Sequence, residues 1–293
     1  MTPSLPPLGA HMSIAGGVDK APGRARAVRC TALQIFVKNN NRWDGPAITP
    51  ATAEAFCREL EGSGVSIRHV FAHTCYLINL ASPKEEVAER SEAALEDELR
   101  RCELIGVPGL VMHPGSHLGT GRDAGIKRIA AAVKRVVDRT PNVRTRILFE
   151  TTAGTGSNIG GPFEDLQELL DLCDAPDRTG VCLDTCHIFA AGYDLRTREA
   201  YEKSMDQLAR TVGFHRLHAV HLNDSKHPLG SKKDRHEHIG RGHLGEEPFR
   251  FLLGDERFRH IPMALETEKD EELTEDRINL GTLYRLGGAV YQT

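Results

Sequence analysis

The chain has 293 residues, 40% of them hydrophobic and 27% charged, with a formal net charge of −4. This composition suits a soluble protein with a full core, and no apolar run reaches the roughly 18 to 20 residues that a membrane-spanning helix requires. A net negative charge offers no general attraction for nucleic acid, and the seven cysteines, without a C-x-x-C pair, read as reduced thiols and exclude a disulfide scaffold or a zinc finger.

The N-terminal stretch MTPSLPPLGA lacks a basic segment followed by an apolar one, so no secretory signal is expected; residues 1–8 read as a flexible lead-in and the cytoplasm as the compartment. Strand-length apolar runs then alternate with longer amphipathic stretches to the end of the chain. The expected strands are GAHMSI (9–14), ALQIFV (32–37), IRHVFAH (67–73), GLVMH (109–113), RILFE (146–150), GVCLD (180–184), HAVHL (218–222) and PMALE (262–266). Helices are expected over 82–106, opened by Ser82 and Pro83 and ended by Gly106, and over 124–140. Eight βα units predict one α/β domain over 1–293, a (β/α)8 TIM barrel.

From the third strand onward each run closes on or beside a metal-competent side chain: His73, His113, Glu150, Asp184, His221 and Glu266. The steps between them are 40, 37, 34, 37 and 45 residues, each about one βα unit. A barrel gathers its C-terminal strand ends on one face, so these residues are expected to converge there. Without a cation such a cluster would suffer desolvation and like-charge repulsion, and the simplest relief is a metal.

Two further segments add candidates. VCLDTCH (181–187) sets His187 three residues after Asp184, a spacing that lets the two serve different ions. The segment 218–245 carries Asp234 and His236 on a long polar loop, with Gly240 and Gly242 free to let backbone approach a phosphate. Nitrogen and oxygen ligands suit Zn²⁺ or Mn²⁺ in a catalytic setting, and Cys75 and Cys186 are read as facing the barrel wall. TTAGTGSNIGG (151–161) imitates a dinucleotide fingerprint, but its glycines give G-x-G-x-x-x-G and the helix begins only near Pro162, so no nucleotide cofactor is expected and the stretch reads as a flexible loop at the mouth.

The segments HMSIAGGV (11–18), FVKNN (36–40), HTCYLINLASP (73–83), HPGSHLG (113–119), FETTAGTGSNIG (149–160), VCLDTCHIFAAGYDLRT (181–197), HLNDSK (221–226), GSKKDRHEHIG (230–240) and ALET (264–267) resemble, in order, the endonuclease IV family of apurinic/apyrimidinic endonucleases. The resemblance implies a monomeric barrel with three zinc ions, Mn²⁺ being able to replace one, that acts on double-stranded DNA containing abasic sites or blocked 3′ ends. His73 and His113 resemble ligands of a first ion, with Glu150 shared between it and a second; Asp184, His221 and Glu266 resemble the rest of the second ion's set, and His187, Asp234 and His236 the third. Glu150 and Glu266 are then the catalytic carboxylates, Glu266 orienting the nucleophile. The implied reaction cleaves 5′ to the abasic site, leaving a 3′-hydroxyl and a 5′ deoxyribose phosphate.

Tyr76 and Leu77 match the family's DNA-inserting pair, although an aromatic and an aliphatic residue after a strand commonly pack into the core. Where family members can carry an inserting arginine, this chain has Asn41, with Arg42 one step later. Two other classes stay open on the residues alone: a xylose isomerase-like sugar isomerase or epimerase, which needs no third metal group, and a non-catalytic DNA-binding barrel.

Overall fold

The computed structural model describes residues 5–291. Ten strands are present among them: β1 (Leu8–Met12), β2 (Ala32–Phe36), β3 (Val70–His73), β4 (Gly109–Met112), β5 (Arg146–Glu150), β6 (Thr179–Asp184), β7 (Leu217–His221), β8 (Asp224–Ser225), β9 (His236–Glu237) and β10 (Met263–Leu265). Eight of them form a closed parallel barrel in the order β1, β10, β7, β6, β5, β4, β3, β2, while β8 and β9 make a small antiparallel ribbon above it. The fold is the expected TIM barrel, and each of the eight expected strands is found within a few residues of its place.

Helices α1 (Ala21–Ala27), α2 (Pro50–Glu61), α3 (Glu85–Leu104), α4 (Arg122–Arg139), α5 (Phe163–Cys173), α6 (Thr185–Ala191), α7 (Arg198–Thr211), α8 (Glu247–Leu253) and α9 (Thr274–Leu286) accompany the strands. None is long and apolar enough to cross a membrane. Their amphipathic stripes explain the packing. In α4, Ile126, Ile129, Val133 and Val136 recur at helical spacing and are buried, while the opposite face is charged. The expected start of α3 needs correction: Ser82 Oγ accepts the Lys84 N–H and turns the chain, so the helix opens at Glu85 rather than at Pro83. Its end agrees, with Gly106 at φ +72°.

The lead-in expected over 1–8 also changes. Residues 1–4 lie outside the described residues, but Leu8 is fully buried in β1, the Pro7 carbonyl accepts the Met263 N–H, and Leu5 packs on the core. Those contacts tie 5–8 to the bottom of the barrel.

The barrel interior explains why the strand ends matter. Phe71, Val111, Leu148, Cys182, Ala219 and Ala264 form a separate buried cluster, one from each of β3 to β7 and β10. Successive side chains of a strand alternate sides, so the residue two positions on faces the interior again, one pleat higher. Those residues are His73, His113, Glu150, Asp184, His221 and Glu266.

Candidate metal centre

Glu150 is fully buried at the middle of this upper layer, and its two oxygens face different partners. Oε2 lies 3.1 Å from His73 Nε2 and 3.2 Å from His113 Nε2; Oε1 lies 3.0 Å from His221 Nδ1 and 3.2 Å from His187 Nδ1. Burial pushes the carboxyl up, but the imidazoles, His221 and then His113, more than reverse this and hold Glu150 well below the ordinary range.

Carbonyl oxygens set the tautomers, since a carbonyl can only accept. His73 Nδ1 donates to the Thr74 carbonyl at 2.8 Å and His187 Nδ1 to the Thr151 carbonyl at 2.8 Å. Each Nε2 is then a bare lone pair in the neutral ring. For His73 it faces the Glu150 oxygen; for His187 it faces Asp234 Oδ1 at 3.0 Å and His236 Nε2 at 3.4 Å. On the other side His221 Nε2 donates to Gln34 Oε1 at 2.6 Å, so its Nδ1 lone pair faces Glu150, Glu266 Oε2 at 3.2 Å and Asp184 Oδ2 at 3.6 Å. Lone pairs aimed at one another from buried positions repel unless protons or cations lie between them. Three groups of donor atoms meet this description: His73, His113, Glu150; Glu150, Asp184, His221, Glu266; and His187, Asp234, His236. All nine candidate ligands thus fall into sets that fit cations, and Glu150 belongs to two of them.

Local structure aims several of these side chains. Asp184 ends β6 and caps α6: Oδ1 accepts the His187 N–H at 2.9 Å, which turns the D-x-x-H spacing into a defined angle between the two groups. Oδ2 remains on the cluster side, where Asn223 Nδ2 donates to it at 2.8 Å. Asp234 is drawn down to about 2; burial would raise it, but the His187 imidazole beside it prevails. Cys186 completes a further group with Asp184 and His236, yet burial and Asp184 push its thiol up to about 12 and Sγ points at the Arg235 carbonyl, so a neutral thiol is the form present. Cys75 is buried, its thiol pushed up to about 11 by burial and Glu98.

Several residues of the centre went unread in the sequence. Gln34 joins two candidate ligands, accepting from His221 while its Nε2 donates to Glu266 Oε1 at 2.5 Å and to His11 Nδ1 at 2.7 Å. Burial pushes the His11 imidazole down, so the neutral ring accepts there. Asn223 links Asp184 to the Glu266 N–H. The one signal available for Gln34 was an amide inside an otherwise apolar strand.

Gly242 serves a different purpose from the one expected. Its N–H donates to buried Asp224 Oδ2 at 2.9 Å, and a Cβ there would meet Asp224 Oδ1 at 2.4 Å, so the glycine admits a carboxylate of the same chain. The glycine loop at 151–161 is likewise knit rather than loose: Gly154, Gly156 and Gly160 take positive φ, Thr152 pairs with Gly160, and Thr155 Oγ1 donates to the Lys232 carbonyl.

Two cavities flank the centre, one of about 710 Å³ beside His11, Asn39, Asn40 and Lys269, and one of about 220 Å³ beside His73, Tyr76, His113 and Ser116. Tyr76 stands at this rim, 60% exposed, edge-on to Phe36 and His73 at 5.6 and 5.9 Å. Leu77 is half-buried against the core. Asn41 and Arg42 are exposed on the turn after β2.

The family model for xylose isomerase-like TIM barrels matches residues 23–284. A probable endonuclease 4 of Geobacter sulfurreducens is 48% identical over 279 residues, 95% of this chain and 94% of the relative. The crystal structure of endonuclease IV from Thermus thermophilus superposes with a TM-score of 0.84 at 38% identity, covering 96% of this chain and 98% of that one. A D-tagatose 3-epimerase-like protein, at 15% identity and a TM-score of 0.70 over 96% and 98% of the two chains, shares the fold alone. Matched over nearly its whole length by relatives that share about half its residues, the chain belongs to the endonuclease IV family of xylose isomerase-like TIM barrels.

Proposed function

We propose that this protein is an apurinic/apyrimidinic endonuclease that hydrolyses the DNA phosphodiester 5′ to an abasic site, leaving a 3′-hydroxyl and a 5′ deoxyribose phosphate, and that it clears blocking groups from 3′ ends by the same chemistry. The observation that carries this reading is the division of Glu150 between two sets of imidazoles, with the third set adjoining at His187. Three divalent cations, zinc or manganese at one position and zinc at the others, would be held by the three groups of side chains described above. When bound, such ions lower the pKa of water towards neutrality and offset negative charge on the phosphoryl oxygens.

The protein's own residues supply the rest. Gln34 fixes Glu266 and His221 in one orientation, so the Glu266 carboxylate is held where it can receive and align a proton from the attacking water. Glu150 stands between two of the groups, while the Thr74 and Thr151 carbonyls and Gln34 hold His73, His187 and His221 in the tautomers that bind. Tyr76 presents an exposed ring beside the His73 group, suited to enter the base stack where a missing base has already lowered the cost. Asn41 and Arg42 sit on the adjacent turn, where Arg42 would serve as the inserting cation.

The test is a duplex with a single abasic site, incubated with metal-loaded protein and resolved against markers of known end chemistry. Incision on the 5′ side, lost after chelation and reduced at least about a hundredfold in Glu150→Gln, is expected. An intact duplex would overturn the proposal, and turnover of a ketose in its place would favour an epimerase.

A further inference from the structure

The two loops that the proposed function sets against DNA share one buried anchor outside the barrel wall. Lys38 and Glu98 side chains are each 1% exposed, with Nζ 3.2 Å from Glu98 Oε1. Glu98 Oε2 accepts the Cys75 N–H at 3.1 Å, directly before Tyr76. Lys38 Nζ donates to the Trp43 carbonyl at 2.8 Å and lies 3.2 Å from Asp97 Oδ2, closing the base of the 39–42 turn. The tips are also joined, since the Tyr76 N–H donates to the Asn40 carbonyl at 2.9 Å. Arg101 holds the far side through the Gly45 and Pro46 carbonyls, and Arg90 lies 4.8 Å over the Trp43 ring.

Burying an ion pair costs desolvation that an apolar pair would not, so its presence asks for a directional role. Here one carboxylate accepts from the backbone of one loop and pairs with the cation that closes the other. We propose that Lys38 and Glu98 are positioning residues that hold the 39–43 turn and the 74–77 loop as one unit, so that Tyr76 and Arg42 meet DNA in a fixed relation. The proposal rests on the DNA reading above, and neither residue belongs to the groups able to hold a cation.

Trp43 is the single tryptophan of the chain and lies on the turn, so its quenching by acrylamide reports the turn in free protein. In Lys38→Met we expect quenching at least about twofold faster, and a KM for abasic duplex raised at least about tenfold, with kcat within about threefold and metal content unchanged. The double variant Lys38→Met with Glu98→Met leaves no unpaired buried charge, which keeps the fold testable, and is expected to shift both readouts in the same direction. Native quenching and native KM in the double variant would overturn the proposal, as would a loss confined to kcat or accompanied by loss of metal. If the wild-type protein leaves abasic duplex intact, the functional reading fails, and Trp43 quenching alone decides whether the pair holds the loops.

Discussion

Replacing Asp224 by alanine isolates the device that holds the third group of donors. The carboxylate is buried and accepts four backbone N–H groups, from Ser225 at 2.7 Å and Leu244 at 2.9 Å on Oδ1, and from Gly242 at 2.9 Å and Gly245 at 3.2 Å on Oδ2. A hydrogen bond to an ionised acceptor contributes about 1.5 to 3 kcal/mol, so four would sum to about 6 to 12 kcal/mol if additive. Burial nevertheless pushes the Asp224 carboxyl above its ordinary value, so desolvation outweighs the donors, and the cost of the alanine variant is that of four buried N–H groups left without an acceptor, about 1 to 3 kcal/mol each and less than additive. We take a loss of about 4 kcal/mol. With an unfolding entropy of about 2.1 cal/mol/K per residue over 293 residues, this lowers Tm by about 6 °C.

Asn at this position would be no remedy, since its NH₂ would confront two N–H donors in place of one of the oxygens. The consequence reaches the centre, because Asp224 and Ser225 form β8, which pairs with β9 at Glu237 and His236. Thermal unfolding of both variants, with metal content measured beside it, reads the effect; donors at Asp234 and His236 should bind their ion more weakly. A Tm within about 2 °C of wild type for Asp224→Ala, or a native-like Asp224→Asn, would refute the reasoning.

Gln34→Leu should weaken metal binding about 10- to 100-fold, measured by competition with a chromogenic chelator, because His221 and Glu266 lose the amide that orients them. Tyr76→Ala should leave Tm within about 1 °C, since the ring is mostly exposed, yet reduce affinity for abasic duplex by gel shift about tenfold or more. Metal-free protein should lose stability as pH rises: burial lowers His73, His187 and His221, but the facing carboxylates, and for His221 first the Cys182 sulfur, raise all three above 6.5. Their contribution is complete below that value and disappears as pH climbs through the raised folded pKa values, while depressed Glu150 and Glu266 lose theirs as pH falls below 4.5. Differential scanning fluorimetry after chelation should therefore give a Tm that falls as pH is raised above about 6.5, and added metal, replacing those protons, should flatten the decline.

The barrel was legible because the βα period is long and repeats, and the strand-end residues because alternation carries an interior side chain and its second neighbour to the same side. Phe71 with His73 and Leu148 with Glu150 show this directly. What escaped was the set of neutral or backbone-directed supports. Gln34 carries no charge, Asp224 acts through amides about twenty residues downstream, and the β8 and β9 ribbon is two residues per strand, too short for any periodicity. The spacing of Gly242 does mark a close approach, but the group approaching is the protein's own carboxylate. The family resemblance added a grouping of ligands that spacing alone left open.

The central claim is that Glu150 organises three cation sites, and elemental analysis of metal-loaded protein tests it most directly. Wild type is predicted to retain close to three equivalents of divalent metal after exhaustive dialysis, with zinc predominant, and Glu150→Gln at least one fewer. A wild-type content of one equivalent or none, or an unchanged content in Glu150→Gln, would contradict the account.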